Sequence, residues 1–259
     1  MGTNHTPDTK KTQSAILCGT GVTKFFGGLA AVSNVDFALH EHEILGLIGP
    51  NGAGKTTLFN LIAGVLKPDR GGIDFKKEPI QGLRPDVICR RGIARTFQIT
   101  KPFLEMSVVE NVMLGSYFGS TGKRRLKECQ RQSQDVLSAV GLEDKTMTLA
   151  SQLTLVERKR LELARALSTH PGVLLLDEVI AGLNPTETME MVDLIRKIQE
   201  RGMAILMIEH VMKAIMGLSD RIIVLNYGEK IAEGSPDAIV SNQLVIEAYL
   251  GGMADAHSK

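Results

Sequence analysis

The sequence predicts an α/β fold: a parallel sheet with strands buried on both faces, interrupted by a helical insertion. Three observations predict it. First, Ile44-Leu45-Gly46-Leu47-Ile48, Val173-Leu174-Leu175-Leu176 and residues 203–208 are short, almost wholly apolar runs. Such runs suit strands covered on both sides by helices. Second, the first run leads directly into Gly49-Pro50-Asn51-Gly52-Ala53-Gly54-Lys55-Thr56, and then into residues 57–63, where apolar residues recur at helical spacing. Third, no strand pattern appears between residues 100 and 171.

The order strand, glycine loop, helix is the context that a phosphate-binding loop requires. A polyphosphate is a dense anion, and holding it takes many donors that need little desolvation. Loop N–H groups and the positive end of the helix supply them. Gly52 and Gly54 allow close backbone approach and positive φ, and Gly49 opens the loop. Pro50, Asn51 and Ala53 complete the loop, and Thr57 begins the helix behind it. Lys55 can set its ammonium between the outer phosphates, and the Thr56 hydroxyl can ligate Mg²⁺. The bland alternative is a glycine-rich turn without a ligand. All fixed positions of the eight-residue pattern match, so the loop is expected to bind a nucleoside triphosphate.

Bulk properties narrow the remaining classes. The 259 residues carry a formal net charge of +1, which leaves no electrostatic footprint for nucleic acid. Cys18, Cys89 and Cys129 are odd in number and widely spaced, the pattern of a reduced compartment. No apolar run is long enough to span a bilayer; the best, residues 204–218, is broken by Glu209, His210 and Lys213. Residues 1–14 are polar and are expected to form a disordered tail. Met1-Gly2-Thr3-Asn4-His5-Thr6 also fits the loose N-myristoylation pattern.

Taken in order, residues 16–23 read as a first strand. Lys24-Phe25-Phe26-Gly27-Gly28 reads as a turn and residues 32–39 as a second strand. Either phenylalanine could plug the core, or a ring held at the surface could stack on a purine. Asp69-Arg70-Gly71-Gly72 is a turn signal before a strand at 73–75. Residues 85–90 suit a short helix, and 92–98 a strand ending at Gln98. Ser107-Val108-Val109-Glu110 offers a capping box for a helix through Leu114. A polar helix begins near Lys123-Arg124-Arg125 and stops at Gly141; its basic start reads as a solvated face or a binding patch. Thr154-Leu155-Val156-Glu157 is a second capping box, opening a helix with Leu161, Ala164 and Leu167 on one face. Helices at 186–201 and 211–218 alternate with strands at 203–208 and 221–225. Tyr227-Gly228 turns a hairpin, and a last helical region ends near Leu250.

Gln98, Asp177-Glu178 and His210 each end an expected strand, where ligands gather in open parallel sheets. An aspartate closing an apolar strand is costly unless a cation meets it. Mg²⁺ shared between Asp177 and Thr56 would do so. Glu178, pointing to the other side in an extended chain, could polarise an attacking water. Alternatively the acid pair is a structural cap and His210 a satisfied core residue.

With these residues in place, the chain resembles the ATP-binding subunits of ABC transporters over about residues 16–250. Gly49–Thr56 matches that family's Walker A loop, Gln98 its Q-loop glutamine and Leu174–Asp177 its Walker B strand. Glu178 matches the catalytic glutamate, His210 the switch histidine and Phe26 the adenine-stacking aromatic. Gly92-Ile93-Ala94-Arg95-Thr96-Phe97-Gln98, Ala181-Gly182-Leu183-Asn184-Pro185-Thr186-Glu187 and Ile246-Glu247-Ala248-Tyr249-Leu250-Gly251 look like the importers of branched-chain amino acids. Related amide and urea importers share these cues.

The resemblance implies a P-loop NTPase core of the ABC ATPase type, with an inserted helical subdomain and an antiparallel β part. It implies a single domain over 15–251 (core 15–99 and 172–251, helical subdomain 100–171), with a mobile tail at 252–259. It implies ATP and Mg²⁺ as ligands, with Thr56, Gln98 and Asp177 holding the metal and Glu178, His210 and Lys55 acting on the γ-phosphate. The implied partners are two transmembrane permease subunits, a head-to-tail ATP-binding subunit (a related chain or a second copy) and, indirectly, an extracytoplasmic solute-binding protein. The implied place is the cytoplasmic face of the cell membrane.

One departure stands out. The family signature, of Leu-Ser-Gly-Gly-Gln type, falls on Leu153-Thr154-Leu155-Val156-Glu157. Thr154 keeps a hydroxyl for the partner's nucleotide, whereas Leu155 and Val156 replace glycines and Glu157 adds charge or folds back as a cap. A nucleotide-binding subunit with little turnover is therefore one rival reading. A soluble ABC ATPase outside transport is another, though the chain has neither the long coiled coil nor the tandem cassettes it would bring.

Overall fold

A computed structural model describes residues 14–96, 102–119 and 125–255. Two sheets organise it. The first is antiparallel: β1 (Ala15–Phe26), β2 (Leu29–His40), β4 (Arg70–Phe75) and the short β5 (Glu78–Pro79) lie in the order β2-β1-β4-β5. The second has the order β10-β9-β3-β8-β7-β6, from β3 (Ile44–Ile48), β6 (Ile93–Arg95), β7 (Val173–Asp177), β8 (Ala204–Ile208), β9 (Arg221–Asn226) and β10 (Glu229–Gly234). Strands β9, β3, β8, β7 and β6 run parallel, and β10 is an antiparallel edge.

Every residue of β3, β7 and β8 is buried, as expected of apolar runs without polar alternation. Alternate side chains enter two different cores. Ile44, Ile48, Leu174, Leu176, Ile205, Met207, Ile222 and Val224 face one, packed against helices. Leu45, Leu47, Val173, Leu175, Leu206, Ile208, Ile223 and Leu225 face the other. There they meet α1 (Lys55–Ile62) and the inner face of the antiparallel sheet, through Leu58, Phe59, Leu17, Val35 and Leu39. The glycine-loop helix is thus sandwiched between the two sheets.

After α2 (Pro85–Arg91) and β6, the chain adds α3 (Val108–Phe118), α4 (Leu126–Ala139) and α5 (Leu155–Leu167) before β7. Among the described residues of this stretch the only strand-type pairing is the isolated bridge Ser107–Leu149. Both expected capping boxes are formed, at Ser107/Glu110 and Thr154/Glu157. A third, Asn184/Glu187, starts α6 (Pro185–Glu200), and α7 (Met212–Leu218) follows β8.

Several boundaries differ from expectation. Phe25 and Phe26 belong to β1, because pairing with β2 continues to Phe26–Leu29 and confines the turn to Gly27-Gly28. Arg70 opens β4 instead of a turn; Gly71 holds φ 77° against Gly21, where the β1–β4 register shifts. α3 runs four residues past Leu114, to Phe118. After α8 (Pro236–Val240), α9 (Gln243–Asp255) passes the expected end near Leu250 with no proline to stop it. The expected N-terminal tail up to residue 13 lies outside the described residues.

Candidate nucleotide site

The strand order places four chain segments side by side at the carboxyl edge of the parallel sheet. They are the loop after β3, Glu209-His210 after β8, Asp177-Glu178 at the end of β7, and Arg95 at the end of β6. This is the edge where open α/β sheets bind ligands.

The loop is shaped by glycine. Gly49, Gly52 and Gly54 have φ of 149°, 79° and 101°. A Cβ on Gly49 would lie 2.1 Å from the Leu225 carbonyl oxygen, and one on Gly54 2.3 Å from that of Ala31. These two glycines let the loop seat against β9 and β2; Gly52 answers a conformational demand alone, with open space where its Cβ would be. The β9–β10 turn buttresses the loop: the Gly228 N–H donates to Ala53 O at 3.1 Å, and the Ser33 N–H to Gly228 O at 2.8 Å. Helix α1 starts at Gly54 with no side-chain cap, so its first N–H groups are available to an anion. Lys55 is buried, and its Nζ donates to the carbonyls of Gly49 (2.6 Å) and Pro50 (2.9 Å). Burial pushes its pKa down, while the charges of Glu178 and Asp177 push it back up. Both carboxylates therefore bear on the loop lysine. Thr56 is exposed and Thr57 half-buried, and Thr56 lines a cavity of about 760 Å³ together with Arg95, Asp177, Glu162 and Arg165.

Asp177 is 2% exposed. Its Oδ2 accepts from Arg95 Nη2 at 2.7 Å, and its N–H donates to Thr96 Oγ1 at 3.1 Å. Arg95 is itself fixed by a bond to Asn60 Oδ1 at 2.5 Å and lies over the Phe59 ring. The chain itself provides Asp177 with a cation, Arg95, beside the Mg²⁺ expected from the sequence. A carboxylate has lone pairs for both, so the residues still fit a metal that arrives on phosphates. Among the described residues no group of three His, Cys, Asp or Glu side chains could hold a metal unaided. Gln98, the third expected ligand, lies outside the described residues.

Glu178 is not extended, as the sequence suggested. It sits at φ 51°, a strained value for a long side chain. Its N–H donates to Ile208 O at 2.9 Å, and its Oε1 lies 3.0 Å from His210 Nε2. His210 is about half exposed, so it is no core histidine.

Phe26 is 49% exposed and Phe25 36%, so neither ring plugs the core. Lys24 Nζ stands 5.8 Å from the Phe26 centroid. Thr154 caps α5: its Oγ1 accepts from the Glu157 N–H at 3.4 Å, and Glu157 Oε2 accepts from the Thr154 N–H at 2.9 Å. Lys145 also holds Glu157, at 3.3 Å. The extra charge of the altered signature therefore folds back, as one of the two sequence readings had it. Leu155 remains 50% exposed beside it.

Three site residues were not singled out from the sequence: Arg95, Lys159 and Glu209. Lys159 Nζ donates to the Glu178 carbonyl at 3.0 Å, and Glu209 Oε1 accepts from the Ile180 N–H at 2.7 Å. Arg95 and Glu209 showed only as a charge beside an apolar run, and Lys159 only as the middle of the basic run Arg158-Lys159-Arg160.

Comparison with known proteins gives the family. Residues 32–181 match the family model of the ABC transporter, and residues 229–255 that of the branched-chain amino acid ATP-binding cassette transporter. The chain is 42% identical over 249 residues to the high-affinity branched-chain amino acid transport ATP-binding protein LivG of Escherichia coli K12, covering 91% of this chain and 98% of that one. It is 40% identical over 249 residues to BraF of Pseudomonas aeruginosa, with the same coverage. Among solved structures, an ABC transporter ATP-binding cassette in its ADP conformation superposes with a TM-score of 0.84 at 30% identity, covering 92% of this chain and 99% of the other. A nucleotide-free cassette gives a TM-score of 0.83 at 29% identity, covering 91% and 99%.

Proposed function

This chain belongs to the ATP-binding cassettes of ABC transporters, and from that membership we propose that its ATP hydrolysis powers the import of branched-chain amino acids or closely related small polar solutes. The observation that carries the proposal is the Glu178 carboxylate, 3.0 Å from His210, with its charge bearing on Lys55. In this reading loop amides and Lys55 stabilise the charge on the outer phosphates. Phe26 stacks on the adenine. Glu178 accepts a hydrogen bond from the attacking water and polarises it, while His210 orients Glu178 and reaches the γ-phosphate. Mg²⁺ entering with ATP would neutralise phosphate charge, held by Thr56, Asp177 and Gln98.

Two such subunits meet head to tail, so that Thr154 and the start of α5 face the partner's nucleotide. Among the described residues no helix is long and apolar enough to cross a membrane. Two separate permease subunits attach the chain to the cytoplasmic face of the membrane in this reading. Their docking place is the surface around Phe103 to Met106, where Phe103 and Leu104 are exposed. A solute-binding protein would act through those permeases.

Glu178→Gln in the complex assembled with its membrane and ATP-binding partners should keep ATP affinity and lower turnover by roughly a hundredfold or more. Unchanged hydrolysis rejects the assignment. The half-exposed Leu155, where the family signature has glycine, favours a second reading: a nucleotide-binding subunit with little turnover of its own. Near-zero wild-type turnover in that assembled complex would select it.

A further inference from the structure

Beyond the carboxylate and histidine, two buried charges converge on the backbone that presents Glu178. Lys159, from the second turn of α5, and Glu209, between β8 and His210, are 7% and 2% exposed. Each holds a main-chain group of the turn after β7: Lys159 Nζ the carbonyl of residue 178 at 3.0 Å, Glu209 Oε1 the N–H of residue 180 at 2.7 Å. With the Ile208 carbonyl on the N–H of Glu178, three contacts from two segments, α5 and the end of β8, fix this strained turn. Lys159 also feels the charges of Glu209, Glu162 and Glu178. The Oε2 of Glu209 has no hydrogen-bond partner among the described residues. Burial raises the Glu209 carboxyl to about 7, against the opposing pull of Lys159 and the Ile180 N–H.

Burying two charges here costs desolvation that an apolar pair of the same size would avoid. If packing were the sole requirement, leucine or methionine would serve as well. A φ of 51° at a glutamate must be imposed by its surroundings: the Ile208 carbonyl holds the N–H before its Cα, and these two side chains hold the carbonyl and the Ile180 N–H after it.

We propose that Lys159 and Glu209 are positioning residues for ATP hydrolysis: together they clamp the turn at residues 178–180, and so fix where the Glu178 carboxylate stands relative to His210 and the terminal phosphate. The inference rests on the reading of Glu178 given above. Because Lys159 shares α5 with Thr154, the clamp also ties the hydrolytic turn of one site to the helix end that faces the other. Both residues bond the backbone of the acid turn, so losing the clamp shifts the catalytic carboxylate and leaves the phosphate loop intact.

The test is steady-state ATPase activity of the complex assembled with its membrane and ATP-binding partners, alongside titration of the chain with a fluorescent ATP analogue. Lys159→Met removes the donor at nearly constant volume. It should lower kcat roughly tenfold to a hundredfold, with KM and analogue affinity within about twofold. Lys159→Arg, which restores a donor, should recover much of the loss. Glu209→Gln keeps an acceptor for the Ile180 N–H while removing the charge that faces Lys159; it should lower kcat by about threefold to tenfold. It also carries the test should Lys159→Met fail to fold. Unchanged kcat in a folded variant overturns the proposal. So does a parallel loss of kcat, nucleotide affinity and melting temperature that arginine does not repair, which would make the pair a packing element. Should Glu178→Gln itself leave turnover untouched, the reading of Glu178 fails; should it abolish turnover while Lys159→Met and Glu209→Gln do not reduce it, the clamp alone fails.

Discussion

The phosphate loop and the acid turn sit at the ends of two strands of one sheet, yet they are built in opposite ways. Residues 49–56 are contiguous, and apart from the Lys55 and Thr56 side chains their chemistry lies in the main chain; there the sequence must provide glycine where a Cβ would strike Leu225 or Ala31. The turn at 177–180 works through side chains, and each is held by a group from elsewhere: Asp177 by Arg95 of β6, Glu178 by His210 and Lys159, Ile180 by Glu209. A backbone site is specified locally. A carboxylate site depends on topology, because buried anions need counter-charges that only the fold brings to them.

If that contrast is right, the largest effect should come from the loop. Gly49→Ala puts a Cβ 2.1 Å from a backbone oxygen that has no room to yield. Affinity for ATP should fall by roughly a thousandfold, several times RT ln 10, in titration with a fluorescent analogue. Wild-type affinity in a folded Gly49→Ala protein would break the comparison on its loop side.

Arg95→Met probes the other side. It leaves Asp177 buried without its cation, so stability to denaturant should drop by about 4 kcal/mol. Adding Asp177→Asn to Arg95→Met should recover more than half of that loss, since it removes the stranded charge as well. If Arg95→Met costs no more than a surface substitution, the counter-charge argument is wrong and the 2.7 Å pair is incidental.

The same contrast explains what could be read in advance. The loop, the all-apolar strands β3, β7 and β8, and the capping boxes at Ser107 and Thr154 depend on neighbours within a few residues, and all were legible. Arg95 was visible only as a polar residue near a strand end, and nothing local ties it to an aspartate 82 positions away. Lys159 and Glu209 were hidden in the same way, by pairings across α5, β7 and β8. The φ of Glu178 was misjudged because a strand pattern says where extension begins more clearly than where it stops. At β1 the error ran the other way: cross-strand pairing continues through Phe25 and Phe26, which read as part of the turn, right up to Gly27-Gly28.

The smallest effect bears on the altered signature. Ser107 and Thr154 head the same device: the hydroxyl accepts from an N–H three residues on, and the glutamate there accepts from the cap's own N–H. Replacing either by alanine should cost about 1 kcal/mol of stability, measured by denaturant unfolding. Their positions differ, since Thr154 begins the helix assigned to face the partner's nucleotide. Thr154→Ala should therefore lower turnover of the assembled complex severalfold, whereas Ser107→Ala should leave it near wild type. Equal turnover in the two variants would reduce Thr154 to a helix cap. The hydroxyl would then have no part in closing the partner's site, and the glycines missing at Leu155 and Val156 would mark a signature that no longer reaches a phosphate.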